Sequence, residues 1–197
     1  NFEENKKIYI YQTNLELDFF KNKVFSFTVD GDELVDMQTV IDDIPGAPWH
    51  DGGRIAFGPD DKLYITTGDA VNPGWSQDLS SLAGKILRIN PDGTTPDDNP
   101  FDSSAIFSYG HRNPQGIAWN DDGLLVSSEH GPSGEMGYGH DEINVIVKGK
   151  NYGWPKVVGD SSDDSFVNPI IHSGQSTWAP SGMVYFDSNK IPSLDGK

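Results

Sequence analysis

Cysteine is absent from this chain, which excludes disulfides and thiolate metal sites and fits either a reducing compartment or an export route that needs no oxidation. Basic residues are scarce: 14 Lys and Arg face 30 Asp and Glu, a formal charge of −16. Such a field repels a sugar–phosphate backbone and excludes nucleic acid as a partner. No apolar run approaches the length of a membrane span, and no charged-then-apolar leader opens the chain. Heptads, αβ alternation and an amphipathic helix are also missing. The chain starts at Asn1, without Met and inside a strand-like pattern, and is expected to be a piece of something longer.

What the sequence does hold is turn chemistry and rings. There are 22 Gly and 13 Pro, with five Trp, seven Tyr and ten Phe, against a hydrophobic fraction of 35%. That mixture suits short strands joined by many turns and is too aromatic for disorder. The surplus carboxylates serve solubility, salt adaptation or hard cations, the last only where acids meet exposed carbonyls.

One phrase occurs twice. His50-Asp51-Gly52-Gly53-Arg54 leads through Ile55-Ala56-Phe57 and Gly58-Pro59-Asp60-Asp61 into Leu63-Tyr64-Ile65. Later, Gly116-Ile117-Ala118-Trp119 leads through Asn120-Asp121-Asp122-Gly123 into Leu124-Leu125-Val126 and then Glu129-His130-Gly131-Pro132. Each copy reads as strand, acidic turn, strand, with a polar cluster at the exit. Further strands are predicted near 8–13, 23–29, 34–41, 84–90, 106–109 and 142–147, with loops over 43–53 and 69–76 and a helical turn over 78–82. A third copy of the hairpin is predicted from Trp178 to Phe186. A repeat of this kind predicts an all-β chain of the β-propeller type, with a site at one mouth and no interior domain boundary.

The chemistry gathers in the loops. His50 precedes a Gly-Gly pair that leaves its imidazole unshielded, so it can take a proton at neutral pH or be a plain surface histidine in a turn. Asp69 follows the paired strand, where its carboxylate can reach His50. Arg112 and Asn113 sit in a Gly- and Pro-bounded loop; Arg112 can hold a carboxylate bidentately or bridge sheets through main-chain carbonyls. Gly131 and Pro132 can turn adjacent carbonyl oxygens outward, as a hard cation such as Ca²⁺ prefers. Glu142, before a strand, and Tyr152, in the rigid Asn151–Pro155 corner, are candidates for a second calcium position. His130, His140 and His172 lack zinc spacing and read as polar loop residues. Trp49, Trp75, Trp154 and Trp178 read as packing, with a sugar face as the alternative.

Six motifs in order resemble the glucose/sorbosone dehydrogenase family, the soluble aldose dehydrogenases that use pyrroloquinoline quinone. They are Pro45 to Arg54, Leu63 to Asp69, Gln77 to Ile89, Gly110 to Gly116, Glu129 to Pro132, and Asp141 to Asn144 with Asn151 to Pro155. The resemblance implies a six-bladed propeller of which residues 1–197 supply about three blades, incomplete at both ends. It implies oxidation of an aldose at its anomeric carbon to the lactone, with an external electron acceptor. By the same carry-over His50 is the general base, Asp69 its orienting carboxylate, and Arg112 and Asn113 contacts to the quinone, Arg112 near its oxygens. The Gly131 and Pro132 carbonyls would hold the Ca²⁺ on the cofactor; Glu142 and the Tyr152 carbonyl would hold a structural one.

The resemblance also implies that the basic residues gripping the cofactor's carboxylates lie mainly in blades outside this chain. The fragment alone is therefore expected to bind the quinone poorly and to be inactive. Periplasmic or extracellular location follows from the family only. Two other readings stand beside this one: a catalytically silent propeller that binds carbohydrate or protein, and a calcium-dependent sugar lactonase. The ordered motifs argue against the lactonase.

Overall fold

The computed structural model describes residues 2–132, 139–186 and 193. A single helical turn, α1 (Phe2–Asn5), precedes eleven strands: β1 (Lys7–Glu16), β2 (Phe19–Asp30), β3 (Glu33–Pro45), β4 (Ile55–Phe57), β5 (Leu63–Thr67), β6 (Lys85–Ile89), β7 (Ile106–Tyr109), β8 (Pro114–Trp119), β9 (Leu125–Glu129), β10 (Glu142–Val145) and β11 (Ile171–His172). They form three antiparallel sheets in the orders β1-β2-β3, β4-β5-β6-β7 and β11-β10-β9-β8. All-β architecture therefore stands as the composition predicts.

The repeated phrase forms equivalent hairpins. Between β4 and β5, the Gly58 amide donates to the Lys62 carbonyl and Asp61 is left-handed at φ 58°. Between β8 and β9, Asn120 donates to Leu124 and Gly123 is left-handed at φ 79°. Acidic or glycine residues tolerate that backbone, which is why the acidic turns recur. Leu17 and Asp18, with φ of 45° and 71°, close the β1–β2 hairpin as a two-residue turn, the pair of left-handed residues that matches strand twist.

The first sheet has longer strands than its patterns predict, and β3 runs on to Pro45, where a loop is expected from 43. Pro45 faces Lys21 as the last rung of the ladder, a strand end where a missing N–H is tolerated. The predicted helical turn over 78–82 is instead a 3-10 turn at Pro73–Gln77. Proline at its start has a fixed φ suited to that position, whereas Asp78 spends its carboxylate on the Ser80 amide in a local turn. The third hairpin copy does not form: residues 178–186 carry no ladder, and Ala179 is left-handed at φ 47°. Side chains tie the segment down: Asp141 Oδ2 accepts from the Trp178 and Ala179 amides, and Ser128 Oγ donates to the Ser181 carbonyl. β11, too short to show a period, was not foreseen.

The sheets pack face to face. Val24, Val40 and Ile44 of the first meet Leu63, Ile65, Leu87, Ile89 and Ile106 of the second. Tyr64 and Ile86 of the second meet Ile117 and Leu125 of the third, with Tyr64 edge-on to Trp119 at 5.0 Å. Being covered on both sides, β5 and β6 are buried at every residue. Among the described residues no helix is long and apolar enough to cross a membrane, which says nothing of spans made by strands.

Candidate active site

The loop after β3 and the loop after β5 meet because glycine lets them. A side chain on Gly68 would lie 1.8 Å from the His50 carbonyl, so only glycine allows this approach. His50 itself is left-handed at φ 64°. The Ala70 amide donates to the His50 carbonyl, and the Asp69 amide donates to the Arg112 carbonyl. Three loops that are far apart in sequence are thereby stitched together by main chain before any side chain is considered.

The side chains then form a chain of hydrogen bonds. His50 Nδ1 lies 2.9 Å from Asp69 Oδ1, and Arg112 Nη2 lies 3.0 Å from His50 Nε2. A guanidinium can only donate, so Nε2 must be the accepting nitrogen and Nδ1 the protonated one, donating to Asp69. The other guanidinium nitrogen, Nη1, donates to the His130 carbonyl at 3.2 Å. Arg112 thus joins the His50–Asp69 pair to the 129–132 loop. Asp69 is buried; its Oδ1 also accepts from the Val71 amide, and its Oδ2 accepts from the Trp154 indole at 2.8 Å. The Arg112 guanidinium lies over the Trp154 ring, 5.5 Å from its centre. Asn113 Oδ1 accepts from the Gly52 amide and from Gln115 Nε2.

A small pocket is lined by Arg112, Glu129, His130, Gly131, Pro132, Glu142, Tyr152 and Trp154, among others. Of the sequence candidates, Arg112, Gly131, Pro132, Glu142 and Tyr152 share this wall. His50, Asp69 and Asn113 are not lining residues and connect to it through Arg112 and the Gly52 loop. Gly131 is forced by crowding, since a side chain there would come within 2.1 Å of the Gly139 carbonyl; its amide donates to Asp141 Oδ1. Ser133 and Gly134, which follow it in the motif, lie outside the described residues.

Beside that wall the chemistry suits a hard cation. Glu129 and Glu142 are directly opposite across the β9–β10 pair and so share one face. Burial, with Glu129 alongside, pushes the Glu142 carboxyl up to about 8. Asn144, two residues along on the same face, is fully buried; its amide donates to Glu142 Oε2 while its Oδ1 has no hydrogen-bond partner. Two crowded carboxylates and an orphaned amide oxygen together call for positive charge, and oxygen donors of this type fit Ca²⁺. Among the described residues no three His, Asp or Glu side chains converge as a metal site. The Tyr152 phenol donates to the Val145 carbonyl, accepts from the Val147 amide and is raised to about 12 by burial. His140 and His172 stack on each other at 5.1 Å.

Two residues not among the candidate site residues of the sequence prove central: His111, and Trp154, which reads there as packing or a sugar face. His111 is wholly buried: Nδ1 is 2.9 Å from Glu129 Oε2, Nε2 is 2.9 Å from Ser108 Oγ, and the ring stacks on Tyr152 at 4.6 Å. The other Glu129 oxygen accepts the Arg112 amide. This Ser–His–Glu row has the order of a hydrolytic triad, but Ser108 and His111 are closed to solvent, so it braces Arg112 instead of reacting. Trp154 is the second. Neither has a signal in the sequence beyond its place inside a motif.

The loops of this all-β chain thus bring together an imidazole–carboxylate pair, a bridging guanidinium and an oxygen-rich wall. The match to the family model described as Glucose / Sorbosone dehydrogenase covers residues 1–197, and the chain belongs to that family. It is 34% identical to an uncharacterized protein of Synechocystis, over 99% of this chain and 53% of that protein. It is 37% identical to the aldose sugar dehydrogenase YliI of Escherichia coli, over 84% of this chain and 48% of that protein. The solved PQQ-bound form of the aldose sugar dehydrogenase from Streptomyces coelicolor superposes with a TM-score of 0.86 at 39% identity, over 94% of this chain and 54% of that one. The chain thus spans about half the length of these relatives.

Proposed function

We propose that the chain is the part of a pyrroloquinoline-quinone-dependent aldose dehydrogenase that carries its base and its metal loop, oxidising the anomeric carbon to the lactone. The observation that carries this reading is the unbroken path from Asp69 through His50 and Arg112 to the His130 carbonyl. It links a base in a defined tautomer to a wall rich in carbonyl oxygens. Residues 1–197 are taken as a single partial propeller completed by further blades, and a periplasmic or extracellular setting is proposed from the family.

In this reading His50 Nε2 accepts the proton of the anomeric hydroxyl. Asp69 keeps Nδ1 protonated and stabilises the imidazolium that forms. For that transfer the hydroxyl must replace the Arg112 N–H that now occupies Nε2. Arg112, released from His50, is a donor for oxygens that gain negative charge, and Asn113 Nδ2 offers a second donor. Bound, the quinone supplies the acceptor for hydride from the anomeric carbon, and calcium the charge that polarises it. The Gly131 and Pro132 carbonyls are the proposed ligands of that ion; Glu142, with the Tyr152 carbonyl, is proposed for the structural one.

The test uses the full-length protein with Ca²⁺ and pyrroloquinoline quinone, and measures aldose-dependent reduction of an artificial dye. The reading requires activity in the parent and its loss in His50→Ala. Inactivity of both would favour a binding module, and a quinone-independent rate on a lactone would favour a lactonase.

A further inference from the structure

Asp69 receives a third, side-chain donor that neither His50 nor the loop backbone supplies. The Trp154 indole N–H reaches Asp69 Oδ2 at 2.8 Å across 85 positions of sequence, in a buried setting. The same ring lies under the Arg112 guanidinium. Trp154 is itself held at both ends of its backbone: its amide donates to the Gly110 carbonyl, and its carbonyl accepts from Gln77 Nε2 at 2.7 Å. Gln77 is in turn paired with the Asn151 side chain in both directions. One indole therefore touches both groups that flank His50, the carboxylate at Nδ1 and the guanidinium at Nε2.

We infer that Trp154 is a positioning residue whose indole N–H locks the Asp69 carboxylate onto His50 Nδ1 while its ring seats Arg112 against Nε2, so that one side chain sets the tautomer and orientation of the base. The inference rests on the proposed function only for its kinetic consequence. With both oxygens engaged, the buried carboxylate cannot rotate, and Oδ1 keeps facing the imidazole. Without the indole donor, Oδ2 is a buried charged oxygen lacking a partner, which is costly enough to make the carboxylate turn or recruit water. Either outcome loosens the bond that keeps the proton on Nδ1. The ring's effect on Arg112 is separable, because Phe keeps an aromatic face and has no N–H.

The experiment is ring-¹⁵N NMR of the full-length protein, with selectively labelled histidine, on the parent, Trp154→Phe and Trp154→Leu. The parent shows His50 as the Nδ1–H tautomer; in Trp154→Phe the minority tautomer rises about threefold. In the loaded enzyme Trp154→Phe lowers kcat about tenfold with the sugar KM within about twofold, and Trp154→Leu also weakens the quinone Kd about tenfold. An unchanged tautomer in a folded Trp154→Phe overturns the inference, whatever the activity. A shifted tautomer in a protein whose parent shows no quinone-dependent oxidation upholds it and sinks the functional reading instead. Should Trp154→Phe not fold, the parent's indole protons decide. The Trp154 N–H must resonate downfield, exchange slowly and move on Asp69→Asn; a free-indole shift with fast exchange overturns the proposal.

Discussion

Two imidazole–carboxylate pairs sit in adjacent loops with the same 2.9 Å Nδ1 contact, yet they serve opposite ends. His50 with Asp69 lies at the rim, its imidazole 20% exposed, and its second nitrogen meets a mobile kind of donor, a guanidinium. His111 with Glu129 is closed off at 0% exposure, and its second nitrogen meets the Ser108 hydroxyl, itself buried. The difference is not in the pair but in what covers it. Tyr152 stacks on His111, while only Arg112 stands over Nε2 of His50. A shared hydrogen-bond pattern is therefore no guide to function until access to the second nitrogen is known. The buried pair still matters for the rim, because Glu129 also holds the Arg112 backbone.

Substitutions can break this contrast, and the largest effect is expected at the rim. His50→Ala should lower dye-linked aldose oxidation by at least about a thousandfold, with the urea midpoint nearly unchanged. Loss of stability instead would make the pair structural. His111→Ala should do the reverse and destabilise by about 3–5 kcal/mol, since removing one partner leaves Glu129 buried without its imidazole; denaturant unfolding measures it. Ser108→Ala is milder, about 1–3 kcal/mol, because it only orphans a neutral ring nitrogen. Calcium should raise the melting temperature of the parent, and Glu142→Gln should abolish most of that rise; equal gains in both would remove Glu142 from the metal site.

The smallest effect concerns pH. Lys85 is fully buried, its ammonium donating to the Trp75, Ser76 and Ala83 carbonyls. Desolvation pulls it down to about 7, with the Asp78 carboxylate opposing. Unfolded, the same lysine titrates near its ordinary 10.5, so between pH 7 and about 10 the unfolded chain binds more protons and stability rises with pH. Below 7 both states are charged and this contribution is flat. The stability difference between the parent and Lys85→Met should therefore grow in the parent's favour from pH 7 to 9, by at most about 1.4 kcal/mol per unit. A difference independent of pH would show that the three carbonyls keep the ammonium charged.

Much of the fold is written locally. The acidic turns at 58–62 and 120–124 announce their hairpins because left-handed backbone favours Gly, Asp and Asn, and β6 is legible as a strand of alternating pattern within 84–90. The loops that hold the candidate residues are legible too, from the Gly52-Gly53 pair after His50 and the Gly and Pro that bound Arg112 and Asn113. The 3-10 turn, the extension of β3 and the ladder-free 178–186 segment were not, since each depends on a partner elsewhere: Lys21 for Pro45, Asp141 for Trp178 and Ala179.

Residue order alone determined that this chain would be all-β, that its acids and glycines would crowd the turns, and which loops would bear chemistry. Those follow from short-range sterics and hydrogen bonding, which a few neighbouring residues settle. Tertiary packing alone decided which imidazole–carboxylate pair would stay partly exposed, that Arg112 would span from His50 to the carbonyl wall, and that Trp154 would reach Asp69. Exposure and long-range contact depend on surfaces contributed by distant segments, so no local pattern encodes them.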